Sequence, residues 1–267
     1  SEVSIAMAAR DLLEAEGYLV SVLDARDDPL RQQRHLEAFI RNGRSGLLWV
    51  PAQDTPPETL ALLTTHALPA VTFLRPLEGA ACDHVGLRNK EATAQATRHL
   101  ADLGHRDIAY LGGSRHSIVR QERVTGYRDA MQQLDLAEPL IWSSQDNKLA
   151  GLTALQTLRH DHPRITALVC NGDMVALGAC QAMIRAGLVP GRDMSVIGFD
   201  DIQDAAVATP ALSTMAVSPY NLGRKLARVL LDRIREPDMP QTTSEIAAQL
   251  ILRDTTGPAP AAAGVAP

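Results

Sequence analysis

The sequence predicts an α/β protein built from two doubly wound, parallel-sheet subdomains. Short β-rich runs alternate with amphipathic segments of ten or more residues, which is typical of parallel strands joined by crossover helices. Residues 46–50 form a continuous apolar run, as expected for a strand covered on both faces. About nine such strands are too many for one small sheet of typical width, so two sheets are predicted.

The individual elements follow from apolar spacing and from their end signals. Residues 1–17 have apolar side chains at roughly helical spacing and stop at a glycine, whereas residues 18–23 are short, β-rich and bounded by glycine and aspartates. Pro29 suits the first turn of the next helix. The further predicted helices are 30–42, 57–66, 89–103, 121–134, 149–159, 173–186 and 221–234. The further predicted strands are 70–74, 107–111, 140–142, 167–170, 194–199, 213–217 and 246–252.

The chain opens with a predicted helix, although a chain of this class normally opens with a strand. In a doubly wound sheet the first strand is usually internal. Its omission would leave a costly gap in a buried hydrogen-bond ladder. We therefore expect the natural polypeptide to have residues upstream of this sequence.

Composition limits the functions open to this chain. The 267 residues have a formal net charge of −5 and a pI near 5.9, which argues against DNA binding by this chain alone. Three cysteines without a CxxC spacing favour a reducing cytoplasm, and no apolar run approaches the ~20 residues of a membrane span.

Catalytic and metal-binding signatures give little support to an enzyme. We find no GxGxxG, GxxxxGK[ST], GxSxG or HExxH motif, and we predict no turnover, no cofactor and no metal site. His160 and His162 flank an aspartate beyond a helix end, where an exposed loop is the simpler interpretation. Residues 112–114 (GGS) follow a strand and could cradle a polar ligand group, although a plain tight turn is an equal alternative.

The segment MSVIGFDD indicates a ligand site. Asp200 and Asp201 directly follow a buried strand, and successive side chains there point in opposite directions, so only one of them can face a cleft. A carboxylate in that place suits sugar hydroxyls or ligand N–H groups. The alternative is that both aspartates cap the next loop or helix.

Further polar residues follow neighbouring strands or begin helices. Asn171 could cap or contact ligand, whereas Asp173 is predicted to be the N-cap of the next helix. Arg120 and Arg123 lie one turn apart at a helix start, where a guanidinium can bind paired oxygens. For Arg120 a solvated surface position is the favoured interpretation.

Four segments in order resemble the effector-binding core of the LacI/GalR family of bacterial transcription regulators. They are HLADLGHRDIAYLGG (99–113), RVTGYRDAM (123–131), GDMVALGACQAM (172–183), and DMSVIGFDDI with TPALST (193–202 and 209–214). The combination at family spacing is specific, and it covers nearly the whole chain. The phrases VRQERVTGY and VCNGD lean towards maltose-regulator-like members.

The resemblance implies a type I periplasmic-binding-protein-like fold with three crossovers and a small effector in the cleft between two subdomains. It places one subdomain at residues 1–86 plus 219–246 and the other at 87–218 plus 247–256. Residues 257–267 contain only Ala, Pro, Gly and Val and are predicted to be a disordered tail.

The resemblance also assigns ligand-binding positions. Arg123 matches the family's effector-binding arginine, and Asp200 matches its hydroxyl- or N–H-binding aspartate. Gly172 replaces the usual asparagine, so its ligand bond is lost or passes to Asn171. The other implied cleft positions are Ser117, Arg75 and Asp146, the last at a place that often offers an aromatic platform.

The predicted function is effector sensing and dimerisation in a LacI-type regulator. The effector is expected to be a small molecule, with a carbohydrate favoured, and operator DNA is expected to bind only through an N-terminal helix-turn-helix domain that this sequence lacks. The alternative is a periplasmic sugar receptor of a transporter. We expect a cytoplasmic homodimer with no membrane contact.

Overall fold

The computed structural model describes residues 2–77, 79 and 82–261. It divides into two compact units, which we call unit 1 (Ser1–Leu87 and Ser218–Ile246) and unit 2 (Arg88–Val217 and Ala247–Pro267). The chain therefore passes three times from one unit to the other. The predicted α/β class with parallel sheets is confirmed. No helix of the described residues is long and apolar enough to cross a membrane.

Helices and strands alternate along most of the chain. The helices are α1 (Glu2–Ala15), α2 (Pro29–Arg41), α3 (Pro57–Thr65), α4 (Asn89–Asp102), α5 (Ile118–Gln133), α6 (Lys148–Asp161), α7 (Asp173–Arg185), α8 (Gln203–Val207) and α9 (Pro219–Arg235). The strands are β1 (Leu47–Trp49), β2 (Ala70–Phe73), β3 (Asp83–Leu87), β4 (Ile108–Leu111), β5 (Leu140–Trp142), β6 (Ala167–Cys170), β7 (Ser195–Phe199), β8 (Ser213–Ala216), β9 (Thr243–Ile246) and β10 (Gln249–Ile251).

Unit 1 contains a four-stranded sheet in the order β1-β2-β3-β9, and all of its pairs are parallel. Asp28 caps α2 by accepting a hydrogen bond from the Leu30 N–H. Pro29 then takes the first helical turn, where its missing N–H costs nothing.

The predicted strand at residues 18–23 is wrong. The segment has no partner in the described sheet, whose edge is β1, and Leu19 in it is 85% exposed. A β-rich sequence becomes a strand only when a neighbouring backbone satisfies its N–H and C=O groups. The composition of residues 18–23 cannot show whether another strand lies beside them.

Unit 2 contains a six-stranded sheet in the order β10-β8-β7-β6-β4-β5. Its pairs are parallel except β10 with β8, which is antiparallel. Strands β4, β6 and β7 are buried along their whole lengths, as their continuous apolar runs predict. Their carboxyl ends meet at one edge of the sheet.

The end of the chain differs from the prediction in two respects. The single strand predicted at 246–252 is two strands, because β9 belongs to the sheet of unit 1 and β10 to that of unit 2. The disorder predicted for residues 257–267 is wrong at its start, since the Gly257 N–H donates to Ser195 Oγ at 3.0 Å and the Ala259 N–H donates to Leu103 O at 2.9 Å. Residues 262–267 lie outside the described residues.

Candidate functional site

The candidate site of unit 2 is organised around Arg123, near the start of α5. The helix packs closely on α4 because Gly126 has no side chain: a Cβ there would lie 2.0 Å from the carbonyl oxygen of Lys90. Thr93 of α4 reinforces the contact by donating to the Arg123 carbonyl oxygen at 2.6 Å. The close approach fixes the backbone from which the guanidinium projects.

The Arg123 guanidinium is buried and held on several sides. Its Nε donates to Asn89 Oδ1 at 2.9 Å, and its Nη1 donates to the carbonyl oxygen of Asn171. The guanidinium carbon lies 3.5 Å from the centre of the Phe199 ring, which is a cation–π contact. Arg123 is only 6% exposed. The charge is thus oriented largely by neutral groups.

Asp200 is the carboxylate near this guanidinium, with 4.0 Å between Asp200 Oδ1 and Arg123 Nη2. Its side chain is 52% exposed, so it remains accessible to a ligand. Asp201 instead forms an ion pair with Arg253 at 2.7 Å. The two adjacent carboxylates therefore serve different partners. Neither aspartate is the N-cap of α8, which is Ile202, so the helix-capping alternative is wrong.

Asn171 connects the end of β6 to neighbouring loops. Its Oδ1 accepts from the Tyr110 hydroxyl at 2.6 Å, and its Nδ2 donates to Asp146 Oδ2 at 2.7 Å. Asn171 is 7% exposed, whereas Asp146 is exposed overall. Partial desolvation of the Asp146 carboxyl by the protein around it raises its pKa, against the hydrogen bond from Asn171. The structure thus joins Arg123, Asn171, Asp146 and Asp200 in one polar cluster.

Ser117 is the N-cap of α5, where its hydroxyl oxygen accepts from the Arg120 N–H at 3.3 Å. The surface position favoured for Arg120 is wrong, because the residue is 6% exposed. Its Nε donates to Gly112 O at 2.7 Å and its Nη2 donates to Ser143 Oγ at 2.9 Å. Sequence spacing could not reveal that the turn after β4 folds over this side chain.

The glycines after β4 form a tight turn and do not offer the predicted cradle for a polar ligand group. Gly112 and Gly113 have φ values of 107° and 78°, which glycine adopts without strain. The Gly112 N–H donates to Trp142 O at 2.8 Å, and the Gly113 N–H donates to the Asp146 carboxylate. Both donors therefore already have partners within the protein.

Asp173 is not the predicted N-cap, since Gly172 has that position and Asp173 begins α7. Its carboxylate accepts from Thr214 Oγ1 at 2.6 Å and from the Ile202 N–H at 2.9 Å. It is 1% exposed. Burial raises the pKa of Asp173 to about 7, assisted by the nearby charges of Asp200 and Asp201 and opposed by its two hydrogen bonds.

Arg75 lies in unit 1, just past β2. Its Nη1 donates to Asp27 Oδ1 at 2.8 Å and to Pro51 O at 2.6 Å. Asp27 also accepts from the Gln53 N–H, and these hydrogen bonds lower its pKa against the opposing effect of burial. Arg75 therefore links the loops that follow α1, β1 and β2.

No group of three or more His, Cys, Asp or Glu residues among the described positions could hold a metal ion. His160 is exposed at the end of α6 and contacts its neighbour Asp161 at 2.9 Å.

Sequence reasoning missed the groups that orient Arg123. Asn89 follows β3 across a unit boundary and Phe199 ends β7, so neither is near Arg123 in sequence. Tyr110 lies inside β4, whose apolar sequence predicts only a buried core strand. The only available signal was position at or next to a strand end, where ligands bind in open parallel sheets.

Charged side chains gathered beyond the ends of parallel strands define the class as a small-molecule-binding α/β domain. Residues 97–256 match the family model described as a periplasmic binding protein-like domain. A curated relative, the HTH-type transcriptional repressor PurR of Actinobacillus pleuropneumoniae, is 28% identical over 253 residues, which are 93% of this chain and 75% of the relative.

Solved structures give the same fold. A LacI family transcriptional regulator from Enterococcus faecium with bound ribose has a TM-score of 0.84 at 22% identity, covering 96% of this chain and 94% of that one. The lac repressor dimer bound to operator and the anti-inducer ONPF also has a TM-score of 0.84 at 22% identity, over 96% of this chain and 89% of that one.

The chain belongs to the periplasmic binding protein-like family and is the effector-binding core of a LacI/GalR-type regulator. The predicted family is thus confirmed, and the repressor relatives favour a regulator over a periplasmic receptor. The maltose-regulator-like branch stays a prediction.

Proposed function

We propose that this core binds a small carbohydrate at the polar cluster of unit 2. Arg123, Asp200, Asn171 and Asp146 supply the polar contacts. Ser117 offers its hydroxyl proton, since its oxygen already accepts a hydrogen bond from the Arg120 N–H of α5.

The observation that carries this proposal is the pairing of a buried, oriented guanidinium with an accessible carboxylate 4.0 Å away. Arg123 can donate to a ligand oxygen, and Asp200 can accept from a hydroxyl on the adjacent carbon. Vicinal hydroxyls of a sugar offer both functions at this spacing. A ligand with only anionic oxygens would be repelled by Asp200 and Asp146.

Effector binding would act on DNA indirectly. We propose a cytoplasmic homodimer in which ligand binding favours one of two conformations of the core, and so changes the spacing of two helix-turn-helix heads. Such a switch requires different affinities for two conformations, with a coupling of about 1–3 kcal/mol. Support comes from the repressor relatives and from the operator-bound dimer of similar fold. We propose no catalytic step.

Titration calorimetry of the purified chain against ribose, other monosaccharides, disaccharides and nucleosides tests the ligand class. We expect one or more sugars to bind and Asp200→Asn to weaken that binding. Asp204→Asn is the matched control, because Asp204 is an exposed acid that pairs with Lys148 and makes no contact with Arg123. Binding of nucleosides alone would contradict the carbohydrate class. Equal affinities in wild type and Asp200→Asn would contradict the site.

A further inference from the structure

The turn that carries Asp200 has an unusual backbone. Asp200 has φ of 105° and Asp201 has φ of 52°, both in the left-handed region that non-glycine residues seldom adopt. Such conformations are energetically unfavourable for residues other than glycine and persist only where the surrounding structure enforces them. The turn therefore depends on the contacts that hold it.

Contacts at each of three successive residues hold this turn. The Asp200 N–H donates to Met215 O of β8 at 2.9 Å, and Asp201 forms its ion pair with Arg253. The third contact is the hydrogen bond from the Ile202 N–H to Asp173 Oδ2 at 2.9 Å. Among these contacts, the last comes from Asp173 at the start of α7, two residues after Asn171 of the candidate site.

The space around Asp173 is shaped for its carboxylate. A Cβ added at Gly198 of β7 would lie 2.2 Å from Asp173 Oδ1, so only glycine leaves room for that oxygen. The same oxygen accepts from Thr214 of β8 at 2.6 Å. Asp173 is thus clamped between β7 and β8 while its second oxygen reaches the turn.

We propose that Asp173 is a positioning residue that holds the Asp200–Asp201 turn in the geometry needed for effector binding. This inference rests on the proposed function of Asp200. Asp173 itself is 1% exposed and does not face ligand. It acts by fixing the Ile202 N–H, and through it the strained backbone that presents the Asp200 carboxylate.

The charge on Asp173 adds a dependence on pH. The acids around it are Asp200 and Asp201 of the turn and Cys170 at the end of β6. Arg123 lies beside Asp200, and Arg253 pairs with Asp201. Because burial raises the pKa of Asp173 to about 7, the carboxyl titrates near neutrality. The neutral form keeps one acceptor for Ile202, whereas the ionised form also places a negative charge beside Asp200.

The test uses the variants Asp173→Asn and Asp173→Ala. The amide of Ile202 is measured first in the absence of ligand. Asparagine keeps an acceptor for the Ile202 N–H but does not titrate, and alanine removes the acceptor. We expect the Ile202 amide resonance of the wild type to titrate with a midpoint of about 7 and that of Asp173→Asn to stay flat. In Asp173→Ala we expect hydrogen exchange at Ile202 to be faster by about tenfold, corresponding to one lost hydrogen bond.

The second measurement is the affinity for ribose, or for whichever sugar the wild type binds. We expect Asp173→Ala to weaken binding about tenfold and Asp173→Asn to restore it to within about threefold at pH 6. The control Asp204→Asn should match the wild type in both readings.

The outcomes separate the two proposals. If no sugar binds to the wild type, the proposed ligand class fails, but the Ile202 readings still decide the role of Asp173. Unchanged Ile202 exchange in Asp173→Ala, or an Ile202 titration in Asp173→Asn like that of the wild type, would overturn the inference. Should Asp173→Ala fail to fold, the Asp173→Asn titration decides alone.

Discussion

Arg75 of unit 1 lies just past a strand and Arg123 of unit 2 lies in a helix, and the two guanidinium groups are held in different ways. Arg75 already contacts a carboxylate, Asp27, at 2.8 Å. Arg123 contacts amide and carbonyl oxygens and an aromatic face, and its carboxylate neighbour is 4.0 Å away. The side chain of Arg75 is 29% exposed and that of Arg123 is 7% exposed.

The difference shows how one residue type can serve two purposes. A guanidinium paired closely with a carboxylate in partial solvent acts as a loop tie of modest strength. The positive charge of a buried guanidinium that is oriented by neutral dipoles is less neutralised within the protein, so it can interact strongly with an incoming ligand. We therefore expect unit 2 to respond more strongly than unit 1 to loss of its arginine.

The largest effect is expected for Arg123→Ala. Removing the side chain leaves buried groups at Asn89 and Asn171 without a partner, so the free energy of unfolding should fall by about 2–3 kcal/mol. Urea unfolding followed by circular dichroism measures it. Arg75→Ala is the matched comparison, and a loss there as large as in Arg123→Ala would remove the distinction between the two arginines.

Asp200→Ala should affect binding far more than folding. Loss of a charged hydrogen bond is expected to weaken the effector by about 1.5–3 kcal/mol. The exposed side chain contributes little to packing, but alanine tolerates the positive φ of this position less well than aspartate, so the unfolding free energy should fall by no more than about 1 kcal/mol. Calorimetry and urea unfolding of the same preparation measure both quantities. A destabilised Asp200→Ala protein with normal affinity would place Asp200 among the structural residues.

A histidine in each unit allows the same comparison for the dependence of stability on pH. His105 of unit 2 is 0% exposed and contacts Thr166, Ser195 and Gly257, whereas His84 of unit 1 is half-buried against Thr72. Burial lowers the pKa of both rings. Below a pH of about 6.5 the unfolded chain binds a proton that the folded ring resists, so stability falls as the pH decreases.

The His105→Gln difference isolates this contribution from other titrating groups. One proton changes the unfolding free energy by at most about 1.4 kcal/mol per pH unit. We expect the unfolding free energy, measured with urea at pH 7.5 and 5.5, to fall less between these pH values in His105→Gln than in the wild type. His84→Gln should change this pH dependence less than His105→Gln does. Equal slopes in His105→Gln and the wild type would show that the ring is not kept neutral by the fold.

The smallest effect is expected at the Arg75–Asp27 pair. A partly exposed ion pair contributes about 0.2–1 kcal/mol, and salt screens it. A double-mutant cycle with Arg75→Ala and Asp27→Ala should give a coupling free energy in that range that declines in high salt. A coupling that exceeds it and resists salt would mean that Arg75 resembles Arg123 after all.

The sequence predicted those features that depend on local pattern. The buried strands β4, β6 and β7 could be found from their continuous apolar runs, and Asp200 from its place directly after one of them. The strand predicted at 18–23 failed because strand formation requires a neighbour that composition cannot specify. Arg120 was misplaced because its burial depends on a glycine turn that closes over it.

The sequence by itself determined the α/β alternation, the family and the strand ends where polar side chains collect, because these follow from apolar periodicity and from motif spacing along the chain. Only the tertiary structure decided what each of those side chains does. It places Phe199 under Arg123, commits Asp201 to Arg253, and turns Asp173 from a helix cap into a support for the Asp200 turn. These contacts join residues distant in sequence, and their energies depend on burial and distance in three dimensions.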